Sequence, residues 1–288
     1  MPIMGSASFF HKIPFPLKHF VLLIVFLNSC IAIAQQRPLS VEPAVINEPG
    51  NASAEFGFSH FRNQPFPLSG LKGDLTKIAA VRLCVALSEF VEVQTEGTFL
   101  DILQVNERKP AFNSSNTTTN DVTADIGDFF LWTKFAVLNE YRTGIGMSVR
   151  FGIQLPNASN ESGLGIDEMN FFSSVLLQKH AAGRWTLNAG LGILGDPANL
   201  GSQHDVFLYG IEYYLPVGEK LSVLLQTAGR AGHTGVGIQR LANGKAGIEK
   251  SFGNLSMRLF GVSNFSPVDN AQGIELSFAY LFHVIHIR

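Results

Sequence analysis

Residues 145–155, IGMSVRFGIQL, alternate without a slip. Ile145, Met147, Val149, Phe151, Ile153 and Leu155 are apolar, while Gly146, Ser148, Arg150, Gly152 and Gln154 between them are small or polar. Successive side chains of an extended chain point to opposite faces, so a period of two specifies a strand with one greasy and one polar face. At roughly 3.3 Å per residue and a tilt of about 45°, a stretch of this length crosses a hydrocarbon layer about 25 Å tall. A strand in a soluble sheet is usually about half as long.

The same grammar recurs to the C-terminus, with breaks rich in Pro, Gly, Asn and Asp between the repeats. It predicts twelve strands, at 54–61, 76–87, 90–103, 127–138, 145–155, 170–179, 185–194, 205–215, 221–230, 239–249, 255–262 and 272–282. In the second, Ala79, Val81, Leu83, Val85 and Leu87 share one face and Arg82 takes the other. Short breaks alternate with longer ones, the arrangement of tight periplasmic turns and external loops in outer-membrane barrels. Aromatics collect at both sets of strand ends. Phe90, Tyr141, Trp185, Tyr213, Tyr214, Phe252 and Phe282 fall by the short turns, and Phe61, Phe99, Phe129, Phe171, Phe207 and Phe265 by the long breaks. Two aromatic girdles are what two membrane–water boundaries require. The fold class expected is therefore all-β: one closed antiparallel transmembrane barrel, residues 53–288. A soluble β protein is the alternative, because soluble barrels also alternate.

Composition fits. Only 15% of the residues are charged and 46% are hydrophobic, yet no apolar run of about 18 residues occurs beyond the N-terminal region, which argues against a helical membrane bundle. A net charge of −2 leaves no electrostatic footprint for nucleic acid.

Residues 1–34 have the order of a cleaved secretory signal. His11, Lys12, Lys18 and His19 form a basic flank, residues 20–26 an apolar run, and Ala32-Ile33-Ala34 a small-x-small site. Leu27-Asn28-Ser29-Cys30 also approaches a lipidation signal, which Asn28 fits poorly. Past such a cleavage Cys84 is the single cysteine, so no intrachain disulfide and no metal-ligand spacing is expected, and no cofactor. Residues 35–52 are polar and proline-containing and read as a periplasmic leader or short plug. The longest break, 104–126, carries the polar tract Asn113-Ser-Ser-Asn-Thr-Thr-Thr-Asn120 and reads as a surface loop.

The last strand alternates Leu276, Phe278, Tyr280 and Phe282 after Gly273. This resembles the C-terminal signal read by bacterial barrel-assembly machinery, except that the chain continues to Arg288 past the terminal aromatic. A longer resemblance is carried by Gly127-Asp128-Phe129, Lys134, the segment RTGIGMSVRFGIQLP, the loop Gly163-Leu-Gly-Ile-Asp167, and NFFSSVLLQK with GRWTLNAGLGILGDP. Together these resemble a family of outer-membrane barrel proteins associated with the meta-pathway of phenol degradation and related to transporters of hydrophobic compounds. The resemblance implies an outer-membrane barrel with a role in uptake, and brings no binding or catalytic residues with it.

The inward positions of the predicted strands carry Arg82, Glu92, Glu96, Lys134, Arg150, Glu212, Arg230, Lys245, Glu249, Arg258 and Glu275. Charges of both signs in comparable number suit a wet lumen that passes small solutes, and equally suit a salt-bridged filling of a closed barrel. The expectation is a channel or uptake protein of the bacterial outer membrane for small molecules, including hydrophobic or aromatic ones. Gating would fall to the 104–126 loop or the leader. The expected partners are the lipid bilayer with lipopolysaccharide, the assembly machinery and a small solute. A filled, non-transporting barrel that anchors or adheres through its loops is one rival. A membrane lipid hydrolase is another, but the histidines outside the signal (His60, His180, His204, His233, His283 and His286) fall in no serine-containing nucleophile motif, so no enzyme is expected.

Overall fold

The computed structural model describes residues 40–112, 115, 117–199, 201–267 and 269–283. The proposed signal at 1–34, its cleavage site, Cys30 and the tail past His283 lie outside them. Thirteen strands and one helical turn follow in order: β1 (Asn51–Phe66), β2 (Leu71–Ala86), β3 (Val91–Arg108), β4 (Val122–Asp125), β5 (Phe129–Leu138), α1 (Glu140–Thr143), β6 (Gly146–Leu155), β7 (Asn170–Ala181), β8 (Gly183–Gly195), β9 (Gln203–Pro216), β10 (Leu221–Gly232), β11 (Leu241–Phe252), β12 (Leu255–Asn264) and β13 (Gln272–His283).

Every strand but β4 pairs antiparallel with its sequence neighbours, and β13 returns to β1, with Asn51 opposite His283 and Arg62 opposite Gln272. The result is a closed twelve-strand barrel. Closure pairs strand with strand around the whole ring and leaves the barrel no free first or last edge, as a chain immersed in lipid requires. The outer surface is a belt of exposed apolar side chains, among them Phe56, Leu131, Phe151, Leu191, Ile248 and Phe278. An apolar surface of that extent is stable against lipid tails and not against water.

Two irregularities refine the strand boundaries read from the sequence. Ala79 has φ +53° and sits where the β1–β2 register skips a residue, between the pairs Gly57–Ala80 and Phe58–Ile78. This bulge flips the alternation. Leu71, Leu75 and Lys77 face inward before it, and Arg82, Cys84 and Ala86 after it, so β2 runs longer than a single phase allows. Next, the 104–126 segment is only partly a loop. β3 continues to Arg108, and β4 is a short extra strand that pairs Val122–Asp125 with Asp101–Gln104. β3 pairs with β5 only lower down, from Val91 to Glu96, and between the two pairings Gly127 N donates to Thr98 O at 2.8 Å.

The Asn139-Glu140 turn is longer than its sequence suggests. Asn139 caps α1 by accepting from Tyr141 N at 2.9 Å, and Gly144 ends the turn in the left-handed region, where a residue with a Cβ is strained.

Two girdle aromatics face the other way. Phe61 is buried among Phe66, Leu71, Leu75, Leu103 and Val262 inside the barrel. Tyr214 donates its hydroxyl to Glu249 and accepts from Ser222, also inside. Both lie beside residues that point outward, Arg62 and Tyr213, and at a strand end composition cannot tell which neighbour faces lipid.

Candidate functional site

The lumen is filled from both ends. At the short-turn end the leader enters it before β1 begins. Glu42 is buried there and ion-paired to Arg82 of β2, and its Oε1 lies 2.8 Å from Lys134 Nζ of β5 and accepts from Gln94 Nε2 at 2.9 Å. On the opposite wall the Asn188 side chain accepts from Glu42 N at 2.7 Å and donates to Glu42 O at 2.8 Å. Lys134 also donates to Val45 O at 2.9 Å, Ser148 donates to Ala44 O, and Val41 packs with Ala228 and Leu241. Residues 41–45, in the described part of the leader, thus form a segment plugging the lumen, with the backbone groups of Glu42, Ala44 and Val45 met by the wall.

All eleven charged residues singled out in the sequence face the inside. Glu92 lies 2.9 Å from Lys134, and Glu96 accepts from Trp132 Nε1 at 2.8 Å and stands 3.7 Å from Arg150. On the far wall Glu212 pairs with Arg184 at 2.8 Å, Lys245 with Glu275 at 2.7 Å, and Arg258 with Glu249 and Glu55. Arg230 stands apart from these pairs and donates to the Gln239 carbonyl at 2.8 Å. Sequence reading missed Glu42, Glu55, Lys77, Asp101, Arg184 and Asn188. Glu55 and Arg184 were legible from strand phase alone; Lys77 and Asp101, an ion pair, were obscured by the bulge.

At the long-loop end two loops reach inward. Leu164, from the loop between β6 and β7, is buried against Phe61 and Leu71. Ile238, from the loop between β10 and β11, is buried with Phe130, Trp132, Phe172, Leu194 and Val206. The Asp128 carboxylate holds the first loop by accepting from Asn157 N and Ala158 N, both at 3.0 Å, and from Gln154. Burial raises the Asp128 carboxyl above its usual range despite those hydrogen bonds. In the 104–126 segment, expected as a possible gate, residues Val122–Asp125 add β4 to the wall, and Thr123 reaches the first loop by donating to Ser162 O at 2.8 Å.

Outside the barrel mouth, the His204 and His233 rings stack with centroids 3.9 Å apart, and His204 Nε2 is 3.0 Å from Asp196. Burial alone would raise the Asp196 carboxyl, but hydrogen bonds from Asn199, His204 and Ala198 N hold it down to about 2.

Between plug and loops lies a cavity of about 380 Å³. Phe61, Phe66, Leu75, Phe130, Phe260 and Val262 make part of its wall apolar, while Arg82, Glu96, Arg184, Lys245 and Arg258 make the rest ionic. A closed barrel with an apolar belt outside and a paired polar lumen has one setting. The chain is an outer-membrane β-barrel.

A solved structure agrees with that fold, and two others match more loosely. A COG4313 outer membrane channel from Pseudomonas putida F1 superposes with a TM-score of 0.60 at 15% identity, over 84% of this chain and 100% of that one. The translocator domain of the autotransporter NalP from Neisseria meningitidis gives 0.49 at 11% identity, over 92% and 94% of the two chains. The KdgM porin gives 0.45 at 6% identity, over 80% and 99%. No protein-family model and no curated protein matches the chain.

Proposed function

We propose that this barrel is a channel for uptake of small molecules with an apolar or aromatic part. The observation that carries the reading is the cavity of about 380 Å³ inside the barrel, apolar on one side and ionic on the other, bounded by a plug on the short-turn side. Phe61, Phe130 and Phe260 line the lumen beside the charged groups, and pockets for small organic ligands are mostly apolar with a few placed polar groups. The short turns, and with them the leader, would face the periplasm.

A filled, non-transporting barrel is the second reading, favoured by the ion pairs and by the buried contacts of the leader. Two measurements on the protein in lipid separate the readings. Uptake predicts narrow conductance in planar bilayers, no swelling of proteoliposomes in a small sugar such as arabinose, and saturable binding of benzyl alcohol. Rapid arabinose swelling would indicate an ordinary hydrophilic pore. Neither conductance nor binding would leave the filled barrel. A hydrolase would need a serine against one of its histidines, and the side chains bonded to the rings of His60, His180 and His204 are Thr76, Glu140 and Asp196.

A further inference from the structure

Cations from three strands converge on one carboxylate that does not belong to the wall. Arg82 of β2 and Lys134 of β5 pair with Glu42 of the leader, and Gln94 of β3 donates to the same carboxylate. Arg150 of β6 completes the set. It is 6% exposed and lies over the Trp132 ring at 3.8 Å, and its Nε and Nη2 make no hydrogen bond among the described residues. The ion partner recorded for it, Glu96, is 3.7 Å away and already accepts from Trp132. Beside it is a separate cavity of about 40 Å³, lined by Arg150, Trp132, Glu42, Asn188 and Gly210. That is space for about three waters, or for a carboxylate of the same size.

Within this cluster the wall sets Arg82, Lys134 and Arg150 against Glu92 and Glu96. Glu55, opposite Arg82 in the β1–β2 ladder, is shared with Arg258, and Glu42 is the carboxylate in direct contact with both Arg82 and Lys134. Baring a buried cation is costly, so withdrawal of the leader requires another anion in its place. We propose that Arg82, Gln94, Lys134 and Arg150 form a carboxylate-binding site of the barrel wall, that Glu42 occupies it as an internal stand-in for the ligand, and that an aromatic or aliphatic carboxylate takes Glu42's place during passage. The proposal rests on the uptake reading and narrows it to acids. Exchange of one carboxylate for another keeps the buried charge count constant, so the plug can leave without exposing an unpaired group. An alcohol of the same shape cannot do this, and a site built to bond a charged group discriminates strongly against an analogue that lacks it.

The test uses the full chain in lipid nanodiscs with benzoate and benzyl alcohol as paired probes. Affinity is read by calorimetry. Displacement of the leader is read as thiol modification of Cys84, which is buried on the inner face of β2 opposite Gln94, quantified on its peptide by mass spectrometry. Benzoate should bind and accelerate Cys84 modification saturably, and benzyl alcohol should not accelerate it. Glu42→Gln loosens the plug while leaving the wall intact, and should tighten benzoate about tenfold or more with benzyl alcohol unchanged. Arg150→Gln should abolish the preference for benzoate. If that variant fails to assemble, as judged by heat-modifiable gel mobility, the Glu42→Gln comparison decides alone. Benzoate and benzyl alcohol acting alike in wild type and Glu42→Gln would overturn the carboxylate site and leave the uptake reading standing. Binding of neither probe would overturn both.

Discussion

The side chain of Asn188 pairs with the backbone of Glu42 as a strand edge would, accepting its N–H at 2.7 Å and donating to its C=O at 2.8 Å. A buried peptide group normally finds both partners in a ladder; here one side-chain amide supplies them, which lets a segment outside the sheet lie inside the barrel. Asn188→Ala leaves both groups without these partners at a cost of about 1–3 kcal/mol each. The leader should then leave the lumen more often. Single-channel recordings should show longer or more frequent open periods, while heat-modifiable mobility, which reports the barrel, stays as in wild type. Unchanged gating would mean that Asn188 does not hold the plug.

Lys134 is the most deeply enclosed cation of the lumen, with Glu42 and Glu92 at 2.8 and 2.9 Å. Lys134→Met should cost about 3–5 kcal/mol, because it removes the ammonium shared by two buried carboxylates and leaves Glu92 without its cation. Adding Glu92→Gln to Lys134→Met should recover part of that loss. Urea midpoints for loss of the fast-migrating folded form measure both, and simple additivity of the two single changes would show that the pair is not coupled.

The stacked rings of His204 and His233 tie the start of β9 to the loop that carries Ile238. Asp196 holds the loop before β9 by accepting from Ala198 N at 2.8 Å and from Asn199 and His204 at 3.0 Å, and against the effect of burial these hydrogen bonds hold its carboxyl down to about 2. A carboxyl lowered in the fold contributes stability that is present above its unfolded value and lost as pH falls through the folded one. Hydrogen exchange at Ala198, corrected for intrinsic rate, should therefore lose protection as pH falls from about 4 towards 2. Asp196→Asn should flatten that dependence.

Asp269 sits in the loop between β12 and β13 and accepts from Ala271 N at 2.8 Å. Burial raises its carboxyl from 3.8 to about 6, with hydrogen bonds from Ala271 N, Gln64 and Asn264 offsetting only part of the effect. A carboxyl raised in the fold contributes stability that is complete below its unfolded value and lost as pH rises through the folded one. Hydrogen exchange at Ala271, corrected for intrinsic rate, should therefore show protection falling between pH 4 and pH 7. Asp269→Asn should flatten that dependence at a lower overall protection, since its amide offers one acceptor fewer.

Gly152 faces Trp132 so closely that an added Cβ would lie 2.1 Å from Cε3 of the indole. Gly152→Ala forces the ring to move and disturbs its packing with Phe130 and Phe172. A loss of about 1–3 kcal/mol is expected, seen as a lower temperature for conversion to the slow-migrating form. Tryptophan fluorescence should shift to the red as Trp132 loosens.

The strands, their even number and the facing of the charged residues could be read from the chain itself, because alternation is a local property: Ile145 to Leu155 state their two faces without reference to any other strand. The girdles were legible for most aromatics for the same reason. Phe61 and Tyr214 were not, since at a strand end one residue of phase moves a side chain from lipid to lumen. Nor was the bulge at Ala79, which needs the β1–β2 pairing to define it, or β4, which strays into a polar loop composition. The site depended still more on distance. Glu42 and Asn188 are 146 residues apart, and no periodicity links a proline-flanked leader to the eighth strand. The sequence by itself determined that the chain must close on itself in a membrane and keep its charges inside. Only the tertiary structure decided which charges meet, because closure of the barrel brings β2, β3, β5 and β6 around one lumen and lets the leader's carboxylate complete a cluster that no single strand contains.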